Sequence, residues 1–303
     1  MSLVFPQRVL FFPVTPMDAS GAVLPDVLDE HLATRLDHNP GAVFIACGTG
    51  EFHALSLAEY TLVVARGVAV TNHRVPVVAG TGGPLGHAIE CARAAAAAGA
   101  DALLVMPPYL VTGPQAGLVA YVEAIAAATD LPLIVYHRGT ATFSVASVEA
   151  LAANPRVAGF KDGVGDIALA QEFVLAAGRS GRTDLQFFNG LLTAELSQRA
   201  YRAIGVPLYS SAVFAMAPEI ANAWFDAYIA ADEPRLDELL DGFYAPLVRL
   251  RDTTPGYAVA LIKAGLELGG LAVGGVRPPL VDPPAEHRER LAQILERGRE
   301  LVA

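Results

Sequence analysis

Val157-Ala158-Gly159-Phe160-Lys161-Asp162-Gly163-Val164-Gly165-Asp166 leads directly into Ile167-Ala168-Leu169-Ala170-Gln171-Glu172-Phe173-Val174-Leu175-Ala176-Ala177. A short apolar run (157–161) passes through glycines into a longer helical segment (167–177). Seven other runs have the same short, apolar character: 9–14, 42–47, 75–79, 102–106, 133–136, 185–188 and 206–209. Each is apolar on both faces, as strands buried in a parallel sheet are. Helical segments follow nearly all of them, at 26–37, 57–70, 85–98, 116–128, 145–153 and 193–203. Strand alternating with helix implies right-handed crossovers and a parallel sheet. Eight strands in one series favour a closed (β/α)8 TIM barrel over an open doubly wound sheet.

The pattern changes after the eighth strand. Helical segments 219–231, 234–250, 257–268 and 285–302 follow one another with no strand between them. The first completes the barrel, so the reading divides the chain into a barrel, 1–233, and a C-terminal helical region packed on it, 234–303. Pro255-Gly256 and Arg277-Pro278-Pro279 punctuate that region, because such pairs end helices and set turns.

The chain has 303 residues, 53% hydrophobic and only 17% charged, which is ample for a sizeable core and excludes a disordered chain. Its net charge of -10 excludes a general phosphate-backbone binder, which needs a basic face. A small acidic substrate is still compatible, since one site can be positive on a negative protein. Cys47 and Cys91 read as reduced, packed thiols. The stretch from Met1 to Arg8 lacks a basic region followed by an apolar one, and no run reaches about 18 apolar residues. The expectation is a cytoplasmic protein with no membrane or nucleic-acid partner.

Lysine usage is the sharpest clue to chemistry. Only Lys161 and Lys263 occur, against nineteen arginines, so a surface cation here is normally written as Arg. A lysine amine can lose its proton and attack a carbonyl to form an imine, which a guanidinium cannot do. The competing reading of Lys161 is a strand-end ion pair.

A barrel places its chemistry at the C-terminal ends of its strands. Those ends carry Thr15, Gly48-Thr49-Gly50-Glu51, Pro107-Pro108-Tyr109, Tyr136-His137-Arg138, Lys161 and Ser210-Ser211. Strand alternation puts Gly159, Lys161 and Gly163 on one face and Phe160 and Asp162 on the other. The glycines leave space around the amine, burial favours its neutral form, and Asp162 is removed as its direct partner. Tyr136 can shuttle protons in the same space, or simply line the barrel. Gly48-Thr49-Gly50 offers backbone N–H groups for a carboxylate, or is an ordinary turn. Glu51 reads equally as a first-turn helix charge or a structural hydrogen bonder. The run Gly80-Thr81-Gly82-Gly83-Pro84-Leu85-Gly86 lacks dinucleotide-loop spacing, and the scattered histidines include no metal pair. No cofactor and no metal are expected.

Taken together, Pro13-Val14-Thr15-Pro16, Gly48-Thr49-Gly50-Glu51, Tyr136 and Gly159-Phe160-Lys161-Asp162 resemble the N-acetylneuraminate lyase and dihydrodipicolinate synthase superfamily. Its members are barrels that form a Schiff base with a 2-keto acid. Within it the chain looks most like the 5-dehydro-4-deoxyglucarate dehydratases, on Phe52, on Gly163-Val164-Gly165-Asp166, on Tyr209-Ser210-Ser211-Ala212-Val213-Phe214 and on Val276-Arg277-Pro278-Pro279-Leu280. The resemblance implies that Lys161 forms the imine, Tyr136 is the acid/base, and Gly48 and Thr49 bind the keto-acid carboxylate. It also implies that Tyr109 is lent across the interface of a homo-oligomer, a dimer or tetramer. Arg138 and Ser211 are the candidates for the far end of a keto-diacid.

Gly48 stands where the synthase has the first of two threonines, and Arg138 lies nearer Tyr136 than the synthase's arginine does. Both changes count against the synthase reaction. His137 stands where the dehydratases tend to have Asn. The expected activity is dehydration with decarboxylation, yielding 2,5-dioxopentanoate. Its competitors are a retro-aldol or dihydrodipicolinate-synthase-like enzyme acting on pyruvate or a 2-keto-3-deoxy sugar acid, and a non-catalytic sugar-acid binder.

Overall fold

A computed structural model describes residues 3–303; Met1 and Ser2, the start of the N-terminal stretch read above, lie outside the described residues. Eight strands run parallel and close in sequence order: β1 (Leu10–Phe11), β2 (Ala42–Ile45), β3 (Val77–Thr81), β4 (Ala102–Val105), β5 (Leu133–His137), β6 (Val157–Asp162), β7 (Gln186–Asn189) and β8 (Leu208–Ser211). β8 pairs back to β1 through Leu10 and Phe11. Around them lie α1 (Pro25–Leu36), α2 (Leu57–Thr71), α3 (Leu85–Ala98), α4 (Gln115–Ala126), α5 (Val145–Ala152), α6 (Ile167–Arg179) and α7 (Gln198–Ala203). The short α8 (Val213–Met216) precedes α9 (Pro218–Ala230), and α10 (Glu233–Leu239), α11 (Ala245–Arg251), α12 (Tyr257–Leu268) and α13 (Ala285–Val302) follow.

Local signals explain where helices begin and end. Ser56 and Glu59 form a reciprocal capping box at the start of α2, and left-handed Asn72 ends it. Such a cap contributes about 1 kcal/mol. Alternation along the strands makes two cores. Phe12, Phe44, Val78, Leu104, Ile134, Phe188 and Leu208 fill the barrel, with Phe5 packed edge-on to Phe188 beneath them. Phe11, Val43, Ile45, Val105, Phe160 and Tyr209 face the helices. Each fully buried side chain of this size contributes roughly 1.5–3 kcal/mol.

Several segments depart from the sequence reading: the first strand is Leu10–Phe11 rather than 9–14, and the third is Val77–Thr81 rather than 75–79. The eighth strand begins at Leu208 rather than 206 and runs on to Ser211. The helix expected over 193–203 is a 3-10 turn, Ala194–Leu196, then α7, with left-handed Thr193 ahead of them. The helix expected over 234–250 is split by a π turn, Leu240–Tyr244, ahead of Pro246. Proline has no N–H to continue the hydrogen-bond ladder, and its ring crowds the preceding turn, so the helix widens there. The glycine-rich run at 80–86 serves packing at its start. A side chain at Gly80 would lie 2.3 Å from the Ala46 carbonyl oxygen, and one at Gly82 would meet Met106.

The C-terminal helices share one hydrophobic core with the barrel. Trp224 of α9 packs edge-on to Tyr209 of β8 at 5.4 Å and to Tyr244 of the π turn at 6.2 Å. Among the described residues no helix is long and apolar enough to cross a membrane.

His31 of α1 is sealed against β1, edge-on to Phe11, and neither ring nitrogen has a hydrogen-bond partner among the described residues. Burial, with help from the charge of Arg35, pushes it down to about 3 from 6.5. The unfolded chain therefore takes up the proton first, so this residue's support for the fold is complete above pH 6.5 and is lost as pH falls toward 3. At pH 5 the loss is about 2 kcal/mol. Urea unfolding of His31→Leu should show a weaker fall in stability between pH 8 and pH 5 than the parent. Identical pH slopes would sink the assignment.

Candidate active site

β5 and β6 are neighbours, with Tyr136 beside Lys161 in register. A bulge opposite Leu133 and Ile134 lets Val157 and Phe160 both face the helices, and it sets the face on which Lys161 falls. Lys161 turns inward and is 5% exposed, its Nζ 4.0 Å from the centre of the Tyr136 ring and 5.1 Å from that of Phe12. Among the described residues no carboxylate forms an ion pair with it, so the strand-end ion-pair reading does not hold. Phe160 stacks on Phe187 outside the barrel. Asp162, on the same outer face, accepts hydrogen bonds from the Tyr201 hydroxyl and from the N–H groups of Val164 and Gly165. It is committed to the turn after β6 rather than to the lysine.

The Tyr136 hydroxyl donates to the Gly190 carbonyl oxygen at 2.7 Å and accepts from Arg138 Nη1 at 2.9 Å. Burial alone would push this phenol up. The charges of Lys161 and Arg138, with the hydrogen bond from Arg138, outweigh burial and hold it below its ordinary value of 10. Two glycines make this packing possible. A side chain at Gly190 would lie 2.7 Å from Lys161 Nζ, and one at Gly163 would lie 2.7 Å from the Tyr136 ring. Gly163 was legible from alternation. Gly190 was missed, although it stands at the end of β7, where the strand-end rule would have found it.

After β2 the chain turns sharply, with Ala46 and Glu51 both left-handed. Glu51 N–H donates to the Gly48 carbonyl oxygen at 3.1 Å, and Thr15 Oγ1 donates to that of Gly50 at 2.7 Å. The N–H groups of Gly48 and Thr49 have no acceptor among the described residues, and Gly48 faces open space. They are free to meet an anion. Cys47, which opens the turn, is pushed up to about 12 by burial, with the nearby charge of Lys161 opposing that rise. It is a packed thiol, as is Cys91.

Two candidates lie elsewhere. Ser211, expected at the far end of the substrate, faces the helices. It is fully buried, and its hydroxyl donates to Glu195 Oε1 at 2.6 Å. The inward residue of that strand end is Ser210, paired beside inward Leu10. Burial pushes Glu195 up to about 7, against the bond from Ser211. Tyr109 is 69% exposed on the loop after β4, beside Leu110 and Val111, which are also exposed. Among the described residues its side chain makes no hydrogen bond.

The sequence profile of the dihydrodipicolinate synthetase family matches residues 5–298. The chain belongs to this family. Among its relatives, a Streptomyces coelicolor protein named a probable 5-dehydro-4-deoxyglucarate dehydratase is 50% identical, over 99% of this chain and 95% of its own. A Streptomyces griseus protein of the same name is 51% identical, over 97% and 92%. Of solved family structures, the dihydrodipicolinate synthase of Oceanobacillus iheyensis superposes with a TM-score of 0.89 at 25% identity, covering 98% of this chain and 97% of its own. The chloride-inhibited synthase of Acinetobacter baumannii, solved with pyruvate, gives 0.84 at 28% identity, covering 97% and 99%. The TIM-barrel fold and the superfamily resemblance read from the sequence stand.

Proposed function

We propose that this protein is a Schiff-base lyase that dehydrates and decarboxylates 5-dehydro-4-deoxyglucarate to 2,5-dioxopentanoate, CO2 and water. One observation carries the reading. A buried lysine without a carboxylate partner lies over a tyrosine whose hydroxyl is held from both sides, inside a barrel whose β2 turn presents free N–H groups. The full-length likeness to relatives named as this dehydratase selects the substrate.

The chemistry follows from the residues. Gly48 and Thr49 take the carboxylate beside the ketone, which brings the carbonyl carbon to Lys161 Nζ. Attack and loss of water give an iminium, an electron sink that acidifies the neighbouring CH2. Tyr136 removes that proton, and the resulting enamine expels the β-hydroxyl as water. The conjugated iminium then accepts the electron pair released when the distal carboxylate leaves as CO2. The enol left behind takes a proton on carbon and gives up its hydroxyl proton to become the aldehyde. The enamine beside it takes a second proton to restore the iminium, and hydrolysis of that iminium frees Lys161. Arg138, at the mouth beside Tyr136, meets the distal carboxylate, and Ser210 takes the place first given to Ser211. Exposed Tyr109, Leu110 and Val111 support a homo-oligomer in which Tyr109 reaches a second subunit's site. The cytoplasm is its compartment.

The test is incubation with 5-dehydro-4-deoxyglucarate, measuring CO2 and dioxopentanoate, followed by borohydride trapping. One CO2 per dioxopentanoate and an adduct on Lys161 are expected. Pyruvate release in place of CO2 would establish the retro-aldol alternative.

A further inference from the structure

Glu51 is fully buried at the end of the candidate carboxylate turn, with φ of 56°. Its Oε1 lies 2.6 Å from Lys263 Nζ, a close but oblique approach, and both side chains are essentially inaccessible. Lys263 also donates to the Gly275 carbonyl oxygen at 2.7 Å. Glu51 Oε2 accepts the Arg277 backbone N–H at 2.8 Å. The Arg277 guanidinium in turn bonds the carbonyl oxygens of Gly21 and Ala54 and forks onto the carboxylate of Glu59 in the first turn of α2. The hydrogen bonds from Arg277, with those from Ser56, hold that carboxylate down to about 2 against partial burial.

A glutamate in the left-handed region carries a backbone cost and persists only where its surroundings over-determine it. Here the determinants converge from distant parts of the chain. Thr15 holds Gly50 from the exit of β1. Lys263 comes from α12, and Arg277 from the segment between α12 and α13. The next segment is itself locked, since a side chain at Gly274 would lie 1.8 Å from the Met17 carbonyl oxygen. Stability alone does not need charges here, because a buried ion pair often does no better than apolar residues of the same volume. What the pair provides is a fixed direction for one side chain, at the residue whose N–H closes the turn onto Gly48.

We propose that Glu51, Lys263 and Arg277 are positioning residues through which the C-terminal region holds turn 48–50 in its carboxylate-binding geometry. The inference rests on the reading of that turn as the carboxylate site. None of the three touches the reacting atoms; they act through the N–H groups of Gly48 and Thr49.

Two variants test it. Glu51→Gln/Lys263→Met removes both charges and strands neither, and Glu59→Gln loosens the outer anchor of Arg277 while its amide oxygen can still accept the Ser56 N–H in the α2 capping box. The control is Asp29→Asn, which weakens a pair with Arg66 on the outer helices. KM and kcat for the keto diacid are measured, with the fraction of Lys161 trapped by borohydride at saturation. A misplaced binding group is felt steeply, so KM should rise about tenfold or more in the double variant and roughly threefold in Glu59→Gln. Both should keep kcat within about threefold and trap Lys161 fully at saturation, and Asp29→Asn should match the parent. KM within about twofold of the parent in every folded variant would overturn the proposal. Glu59→Gln alone decides if the double variant does not fold. Failure of the parent to trap any keto acid would instead defeat the imine reading itself.

Discussion

Lys161→Arg is expected to lower turnover of 5-dehydro-4-deoxyglucarate by roughly 10,000-fold or more, the scale seen when a covalent nucleophile is removed. Lys161→Ala should lose as much. The arginine keeps the positive charge beside Tyr136 and part of the side-chain volume, but a guanidinium stays protonated and cannot form an imine. Equal loss in the two variants therefore assigns the amine a covalent role rather than an electrostatic one. Neither variant should acquire mass on borohydride trapping. Lys161→Arg retaining more than about a hundredth of parental turnover would end the imine mechanism, because charge alone would then suffice.

Tyr136→Phe should reduce kcat by about 100- to 10,000-fold, the range for a positioned proton-transfer group. The final extent of trapping on Lys161 should survive, since imine formation still reaches equilibrium when proton transfer is slow. The phenol is held below its ordinary value because the charges of Lys161 and Arg138 outweigh burial. As a base it is therefore competent at lower pH than a free tyrosine. Arg138→Met removes one of those charges and the hydrogen bond at 2.9 Å, which should move the rising limb of the pH profile for kcat to higher pH. A limb that stays in place, or moves down, would mean that another group carries the proton.

The barrel was legible because its signal is periodic: short apolar runs and helical segments alternate around the whole ring. Lys161, Tyr136 and the outward turn of Asp162 followed from the two-residue period of a strand. The same rule applied to the last strand would have chosen Ser210 over Ser211, but locating that strand was harder. Its pairing begins after Pro207, later than the apolar run suggests. Gly190 lay at a strand end that carries no reactive side chain, so nothing in its chemistry drew notice. Glu51 as a structural hydrogen bonder was one of the two readings its position allowed, but its partners could not be read. Arg277 lies 226 positions away from it, and only the folded chain brings such partners together. Lys263 looked like an odd charge in an apolar helix because the feature that explains it belongs to the far end of the sequence.

The burial of both lysines also governs how the intact protein meets amine chemistry. Lys161 and Lys263 are 5% and 1% exposed, and the cations on the outer faces are arginines. Activated esters used for dye labelling, dialdehyde crosslinkers and reducing sugars all need an accessible primary amine, so the folded surface presents them with no side-chain target. A carbonyl reagent that does attach to a lysine must have entered through the mouth of the barrel. Competition by substrate against such a reagent is thus a direct readout of active-site occupancy in the native enzyme.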